Sequence, residues 1–594
     1  MRDRNTNHAA ILIVAAGLPM AAMAQGDPLR EPFEAISTID TLTDGVTGFR
    51  FGGRDVGTNV IELIGDINGD GFGDIAVGDV PYSGPGPEKA GVAFVIFGSA
   101  DGFANPVILD DLDGTDGVRL ESFIAFDGLV APAGAGDVNG DGLDDMVIGA
   151  PGRGGYGSGE PGADWHGRAY VVFGRDAASG GFPSVVDLRD LDGSNGFLLE
   201  PIASDQVVGR AGFGAIVATV GDLNGDGTND IGVFARWEDV DGRVDAGRAY
   251  IFFGGTDPFP AVVSGSDLDG TNGFRFNGQI ENQQMGWFSR SVTDGGDVNG
   301  DGVDDVLFGS LRDGVAWALY GRADGVFEAD LDTDDIDGAD GFVIEGGPGV
   351  PLGPIHAIGG DVNGDGVDDL VVSSRSAGSA IPPLLSGGRS FIVFGRTDGF
   401  PERLDVSTLD GTDGVRVDGD NGQSGSTVRF AGDVNGDGFG DVLIGAESRG
   451  TTRVGGYFDY GRGAAYVVFG RGDGFDPVID LTNPDGQSAI RFDGNADGIY
   501  FGTQVAGGTD INGDGIDDMM FKGYNQINNG YVVFGRAPAC PADLDGDGEL
   551  TLFDFLAFQN LFDAGDPLAD FDGDGSLTLF DFLAFQNAFD AGCG

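Results

Sequence analysis

The sequence predicts an all-β chain, a seven-bladed β-propeller of four-stranded blades, followed by a small α-helical calcium-binding module. Three observations predict it. An acidic nine-residue string recurs seven times, two apolar strings keep the same count, and 112 glycines in 594 residues leave little room for long helices.

The length exceeds one ordinary domain, and 44 Phe with 41% hydrophobic residues supply a core, so the glycines mark tight turns between short strands rather than disorder. Against 96 Asp and Glu stand only 32 Lys and Arg, leaving a formal charge of -64. Such a charge repels phosphate backbones and anionic lipid surfaces and excludes nucleic acid as a partner. Packed carboxylates also repel one another unless cations neutralise them, which points to calcium. Three His, one of them His8 near the N-terminus, and two Cys do not suit zinc or haem sites built from several such ligands.

Residues 1–24 read as a signal peptide: Arg2 and Arg4, an apolar run from Ala9 to Ala22, then Ala22-Met23-Ala24 before Gln25. A membrane anchor fits less well, because the run is short and broken by Gly17 and Pro19, and the sequence predicts no transmembrane segment in the mature chain. The expected location is secreted, extracellular or at the cell surface. Export permits a disulfide between Cys540 and Cys593, the only two cysteines.

The string D-x-N-G-D-G-x-x-D starts at Asp66, Asp137, Asp222, Asp297, Asp361, Asp433 and Asp510. A Y-V-V-F-G type string ends at Gly98, Gly174, Gly254, Gly321, Gly395, Gly470 and Gly535. A G-F-R-F type string begins at Gly48, Gly117, Gly196, Gly273, Gly341, Gly414 and, in degenerate form, Ala489. A strand before each acidic loop, one after it, and the two apolar strings make four strands per unit. The first G-F-R-F string precedes the first acidic loop and none follows the last Y-V-V-F-G, so residues 46–52 are expected to complete the seventh blade. An open array of β-sandwiches explains neither the short period nor that phase.

Hard Ca²⁺ takes six to eight oxygens, and this loop offers side-chain oxygens at positions 1, 3, 5 and 9 and a backbone carbonyl at position 7. The first loop supplies Asp66, Asn68, Asp70, Asp74 and the carbonyl of Phe72; the second Asp137, Asn139, Asp141, Asp145 and that of Leu143. The third supplies Asp222, Asn224, Asp226, Asp230 and the carbonyl of Thr228; the fourth Asp297, Asn299, Asp301, Asp305 and that of Val303. The fifth supplies Asp361, Asn363, Asp365, Asp369 and the carbonyl of Val367; the sixth Asp433, Asn435, Asp437, Asp441 and that of Phe439. The seventh supplies Asp510, Asn512, Asp514, Asp518 and the carbonyl of Ile516. Solvated Asx turns explain a single such loop but not seven of one pattern.

On acidic loops such as G-D-V-N-G-D-G-L-D-D-M-V-I-G-A-P (residues 136–151), the units resemble FG-GAP repeats, and residues 42–536 resemble the β-propeller of integrin α subunits. The resemblance implies calcium hairpins joining the first two strands of each blade on a lower face, with ligands met by loops on the upper face. This chain departs by carrying the loop in all seven units and by lacking the leg and transmembrane segments, so integrin heterodimerisation is not implied.

After a linker at 537–542, residues 543–594 contain no Lys or Arg and two near-copies offset by 27 residues. Asp543, Asp545, Asp547, the carbonyl of Glu549, Thr551 and Asp554 occupy positions 1, 3, 5, 7, 9 and 12 of an EF-hand-like loop. Asp570, Asp572, Asp574, Ser576, Thr578 and Asp581 repeat it, and each loop enters the segment T-L-F-D-F-L-A-F-Q-N, read as a helix. The pair resembles a type I dockerin, which implies a cohesin-like scaffold as partner. Leu552, Phe553, Leu579 and Phe580 stand where that family usually has polar contact residues, so a self-contained calcium-clamped cap is the other reading. Together the loops give about nine Ca²⁺ sites.

Arg471-Gly472-Asp473 spells an adhesive tripeptide, yet it follows the F-G-R-x-D-G-F template of Arg322 to Gly325 and Arg396 to Gly399 and reads as a repeat turn. No metalloprotease or nucleophile-elbow motif is present, and no catalytic residue is assigned. The variable loops carry Tyr82, Tyr156, Trp165, His166, Trp237, Trp287, Tyr457 and Tyr460. These groups either meet a glycan or protein ligand or pack under glycine-rich loops as local cores. Trp317 falls in a strand and reads as core. The leading function is recognition or adhesion of an extracellular protein or glycan by a tethered, non-enzymatic calcium-binding propeller. The alternative is an accessory or catalytic component of extracellular polysaccharide degradation.

Overall fold

A computed structural model describes residues 33–53, 60–79, 91–124, 127–129, 131–152, 166–202, 212–286, 295–310, 312–352, 355–377, 387–420, 422–454, 457–459, 461–496, 499–523, 530–536, 542, 544, 550–564, 569, 571 and 576–591. Two compact units divide the chain, one over Pro32–Pro538 and one that includes Ala539–Cys593.

Among the described residues the larger unit holds seven blade sheets in sequence order and a separate two-stranded sheet, Thr452–Val454 with Tyr457–Asp459. In the second blade Ala131–Gly136, Asp145–Ala150, Arg168–Val172 and Gly196–Glu200 run antiparallel, each hydrogen-bonded to the next. The acidic loop is the hairpin between the first two strands, and the apolar strings are the third and fourth. The strands are buried on both faces, as sheets sandwiched between neighbours must be; Asp145–Ala150 is buried at every position. Stacked rings such as Phe276 and Phe308, 4.3 Å apart at their centroids, join one blade to the next. The glycine in V-I-G-A has a steric reason: a Cβ on Gly149 would fall on the carbonyl of Gly214 in the adjoining blade.

The expectation of four-stranded blades is corrected. A short fifth strand pairs in parallel with the outer strand and comes from the next blade's connection between its third and fourth strands. Val185–Asp187 thus lies beside Gly117–Glu121, and Val262–Ser264 beside Gly196–Glu200. Six sheets show five strands among the described residues, and the fourth blade shows four, with Met285 and Gly296 making isolated bridges to Ser310 and Asp305. The extra strand covers what would otherwise be a bare edge.

Ring closure follows the same rule. Gly48–Gly52 pairs antiparallel with Gly530–Val533, placing Phe49 opposite Val532 and completing the seventh blade. Just upstream, Ile36–Thr38 adds the fifth strand to the sixth blade. Residues 36–52 therefore clasp two blades.

In the smaller unit, helices Leu552–Ala564 and Leu579–Ala591 carry the duplicated segment. Each starts on a capping threonine, Thr551 or Thr578, whose hydroxyl accepts from the N–H two residues on at 3.1 Å. Phe558 and Phe585 stack at 4.3 Å in a small aromatic core.

Candidate functional site: seven linked acidic loops

All seven propeller loops lie within the described residues and share one hydrogen-bond plan. In the second, the Asp137 carboxylate accepts from the N–H groups of Gly140, Asp141 and Gly142 at 2.7, 3.1 and 2.8 Å. Asn139 accepts from Asp141 at 2.8 Å, and Asp141 accepts from Leu143 at 3.0 Å. Gly140 and Gly142, at φ of 73° and 90°, provide the left-handed turns that curl the loop.

The aspartate at position 9 is fully buried in every loop. Asp145 accepts from Val138 within the loop at 3.0 Å and from Gly174, the glycine of the F-G pair, at 2.8 Å. The F-G glycine is fixed twice over, because a Cβ on Gly174 would also fall on the carbonyl of Asp144. Burial pushes the Asp145, Asp305 and Asp369 carboxyls up to about 8, and the carboxylates at positions 1 and 5 push the same way. Asp74, Asp230, Asp441 and Asp518 are raised well above the ordinary carboxylate range for the same leading reason.

Buried carboxylates facing other carboxylates call for a cation. The donor set suits a hard one, since Asp137 Oδ2 accepts a single N–H and each oxygen of Asp145 likewise accepts one, so these oxygens keep a lone pair. Among the described residues, no group of three or more Asp, Glu, His or Cys is already drawn together tightly enough to hold a metal ion. An ion would have to gather the oxygens. The third loop differs locally, because the Thr228 hydroxyl donates to Asp226 at 2.6 Å.

Each loop is also bonded to the loop of the preceding blade, a feature that sequence reading missed. The Asp144 carboxylate accepts from the Asp66 N–H at 2.8 Å, and the Asp144 N–H donates to the Asp66 carbonyl at 3.3 Å. Gly73 closes the circle by donating to the carbonyl of Asp510 at 2.9 Å. The only sequence signal was the recurrent acid or amide at position 8.

In the smaller unit, the buried Asp554 accepts from Leu544 and Thr551, both at 2.8 Å, and Asp581 accepts from Thr578 at 2.5 Å. Exposed Ser576 is the remaining candidate ligand among the described residues there. Asp543, Asp545, Asp547, Glu549, Asp570, Asp572, Asp574, Cys540 and Cys593 lie outside the described residues, as do residues 1–24.

The aromatic candidates are not brought together among the described residues. The Trp237 ring lies against Gly212, with the Arg236 guanidinium 3.7 Å from its centroid, and His166 is exposed. Tyr82, Tyr156, Trp165, Trp287, Tyr460 and the Tyr457 side chain fall outside the described residues. Trp317 is buried, as expected. His356 is buried on an inner strand, where desolvation and then Arg429 lower its pKa to about 3. The Arg471 guanidinium sits 4.9 Å from the Phe475 ring centroid, as Arg322 sits 5.1 Å from that of Phe327, so the tripeptide arginine has the same packing role as its repeat counterpart.

The family model for the FG-GAP repeat matches residues 132–172 and 213–252. Integrin alpha pat-2 of Caenorhabditis elegans is 29% identical over 255 residues, covering 43% of this chain and 18% of that protein. Integrin alpha-5 of Xenopus laevis is 30% identical over 230 residues, covering 36% and 18%. A phosphatidylinositol-glycan-specific phospholipase D of Bos taurus is 32% identical over 174 residues, covering 29% and 17%. The chain spans less than a fifth of the length of each of these relatives. Among the described residues, no helix is long and apolar enough to cross a membrane. The chain thus carries FG-GAP repeats within a seven-bladed, integrin α-like β-propeller.

Proposed function

We propose that the protein is a secreted, calcium-loaded recognition or adhesion propeller, tethered to a partner through its C-terminal module. The observation that carries calcium is the buried position-9 aspartate, seven times repeated and faced by further carboxylates. Similarity to integrin α chains supports recognition of an extracellular protein or glycan. Tethering is supported by the matched exposure of Leu552 and Phe553 (69% and 67%) with Leu579 and Phe580 (69% and 67%). These side chains are not spent on the module's own core, as they would be in a plain cap, and a cohesin-like scaffold is the partner that the dockerin resemblance implies. A disulfide between Cys540 and Cys593 would clasp the module's ends, and non-reducing mass spectrometry tests it.

A binding screen of the full chain against glycans and surface proteins, with calcium and with EDTA, tests the function. Calcium-dependent binding without turnover is expected. Product release from a polysaccharide would replace this reading with the enzymatic one.

A further inference from the structure

The bonds between neighbouring loops take two forms. In five junctions the position-8 side chain accepts from the N–H of position 1 in the preceding loop. Asp144 accepts from Asp66, Asn229 from Asp137, Asp304 from Asp222, Asp368 from Asp297 and Asp517 from Asp433, all at 2.7 to 3.0 Å. In the other two, position 8 is Gly440 or Gly73, and only a backbone N–H crosses to the carbonyl of Asp361 or Asp510, at 2.8 and 2.9 Å. The side-chain bridges therefore link the loops of blades 1 to 5 in one series and those of blades 6 and 7 in another.

We propose that these bridges couple the calcium sites, so that the loops of blades 1 to 5 load as one cooperative group and those of blades 6 and 7 as a second. The inference rests on the calcium reading above. Position 8 stands between two expected ligands of its own loop, the position-7 carbonyl and the position-9 carboxylate. Its partner N–H belongs to position 1 of the preceding loop, itself an expected ligand. Ordering one loop around an ion thus fixes a ligand-bearing backbone in the next, and the second ion meets a loop that has less freedom left to lose. Four of the five bridges also bring a carboxylate against the preceding loop, where a bound cation strengthens the contact by simple attraction. By reciprocity, each site raises its neighbour's affinity by the same factor.

Hydrogen exchange of the full chain, read by mass spectrometry over a calcium titration of chelated protein, resolves each loop separately. Protection of the loops in blades 1 to 5 is expected to rise at one shared midpoint with a Hill slope above one, and that of blades 6 and 7 at another. Asp304→Ala should separate blades 1 to 3 from blades 4 and 5 and weaken loading beside the cut by about tenfold. Asp304→Asn should retain the coupling, since Asn229 bridges natively with an amide. Gly440→Asp should merge the two groups, because a Cβ there would lie 3.2 Å from the Asp361 nitrogen, within reach of a carboxylate bridge. Loops that load with unit slope, and whose midpoints neither Asp304→Ala nor Gly440→Asp moves, would overturn the coupling while leaving calcium in place. Loops whose protection ignores calcium altogether would overturn the calcium reading and the coupling with it.

Discussion

The carboxylate of Asp304 in the fourth acidic loop holds the backbone N–H of Asp222 in the third at 2.7 Å, across two blades and 82 positions of sequence. Loop-to-loop bonds of this kind make the acidic face a closed circle rather than seven independent hairpins. The same face carries the F-G glycines, whose N–H groups hold the buried aspartates.

Gly321→Ala should destabilise the protein by about 3 kcal/mol, because the new Cβ falls on the carbonyl of Asp304 and cannot be accommodated by rotating a side chain. The urea midpoint measures the loss. Gly302→Ala is the control for space, since no atom lies within 4 Å of its Cβ position, and its cost arises only from the left-handed backbone at φ of 88°.

Removing the chain up to residue 52 should strip the outer strand from the seventh blade and the fifth strand from the sixth. Two sheet edges are then bare, and light scattering should report aggregation. A monomer of unchanged stability would show that closure comes from elsewhere.

Arg471→Ala should cost about 0.5–1 kcal/mol through loss of its packing on Phe475. Asp473→Glu should leave any cell attachment unchanged, since the tripeptide serves as a repeat turn. Loss of attachment in an integrin-blocking assay after Asp473→Glu would reverse that assignment.

The buried carboxyls of Asp145, Asp305 and Asp369 have folded-state pKa values near 8, above the unfolded value of 3.8. In chelator, the stability linked to these protons is fully present below pH 3.8 and disappears as the pH rises through 8. Thermal melts in EDTA should therefore fall in Tm between pH 5 and 9. Saturating calcium, which binds the ionised form, should flatten the profile.

The seven loops and the closing strand were legible because repetition and phase are properties of the sequence itself: the string at Gly48 has no acidic loop before it. Val185–Asp187 was not legible as a strand, since three residues carry no period and their pairing with Arg119, Leu120 and Glu121 exists only in space. The role of Asp144 was hidden for a related reason. In sequence it is one more acid beside Asp145, and only the packing of two blades separates a bridging carboxylate from a buried one. The aromatic loops read ambiguously because Trp237 looks alike in sequence whether it meets a ligand or, as found, lies on Gly212.

Scanning calorimetry of the full chain with calcium and with EDTA shows whether bound calcium holds the propeller together. At free calcium of about 100 times Kd, each site contributes roughly 2.7 kcal/mol to the folded state. With seven propeller sites, the main transition should fall by well over 10 °C on chelation and return when calcium is restored. A main transition at the same temperature in both buffers would contradict it.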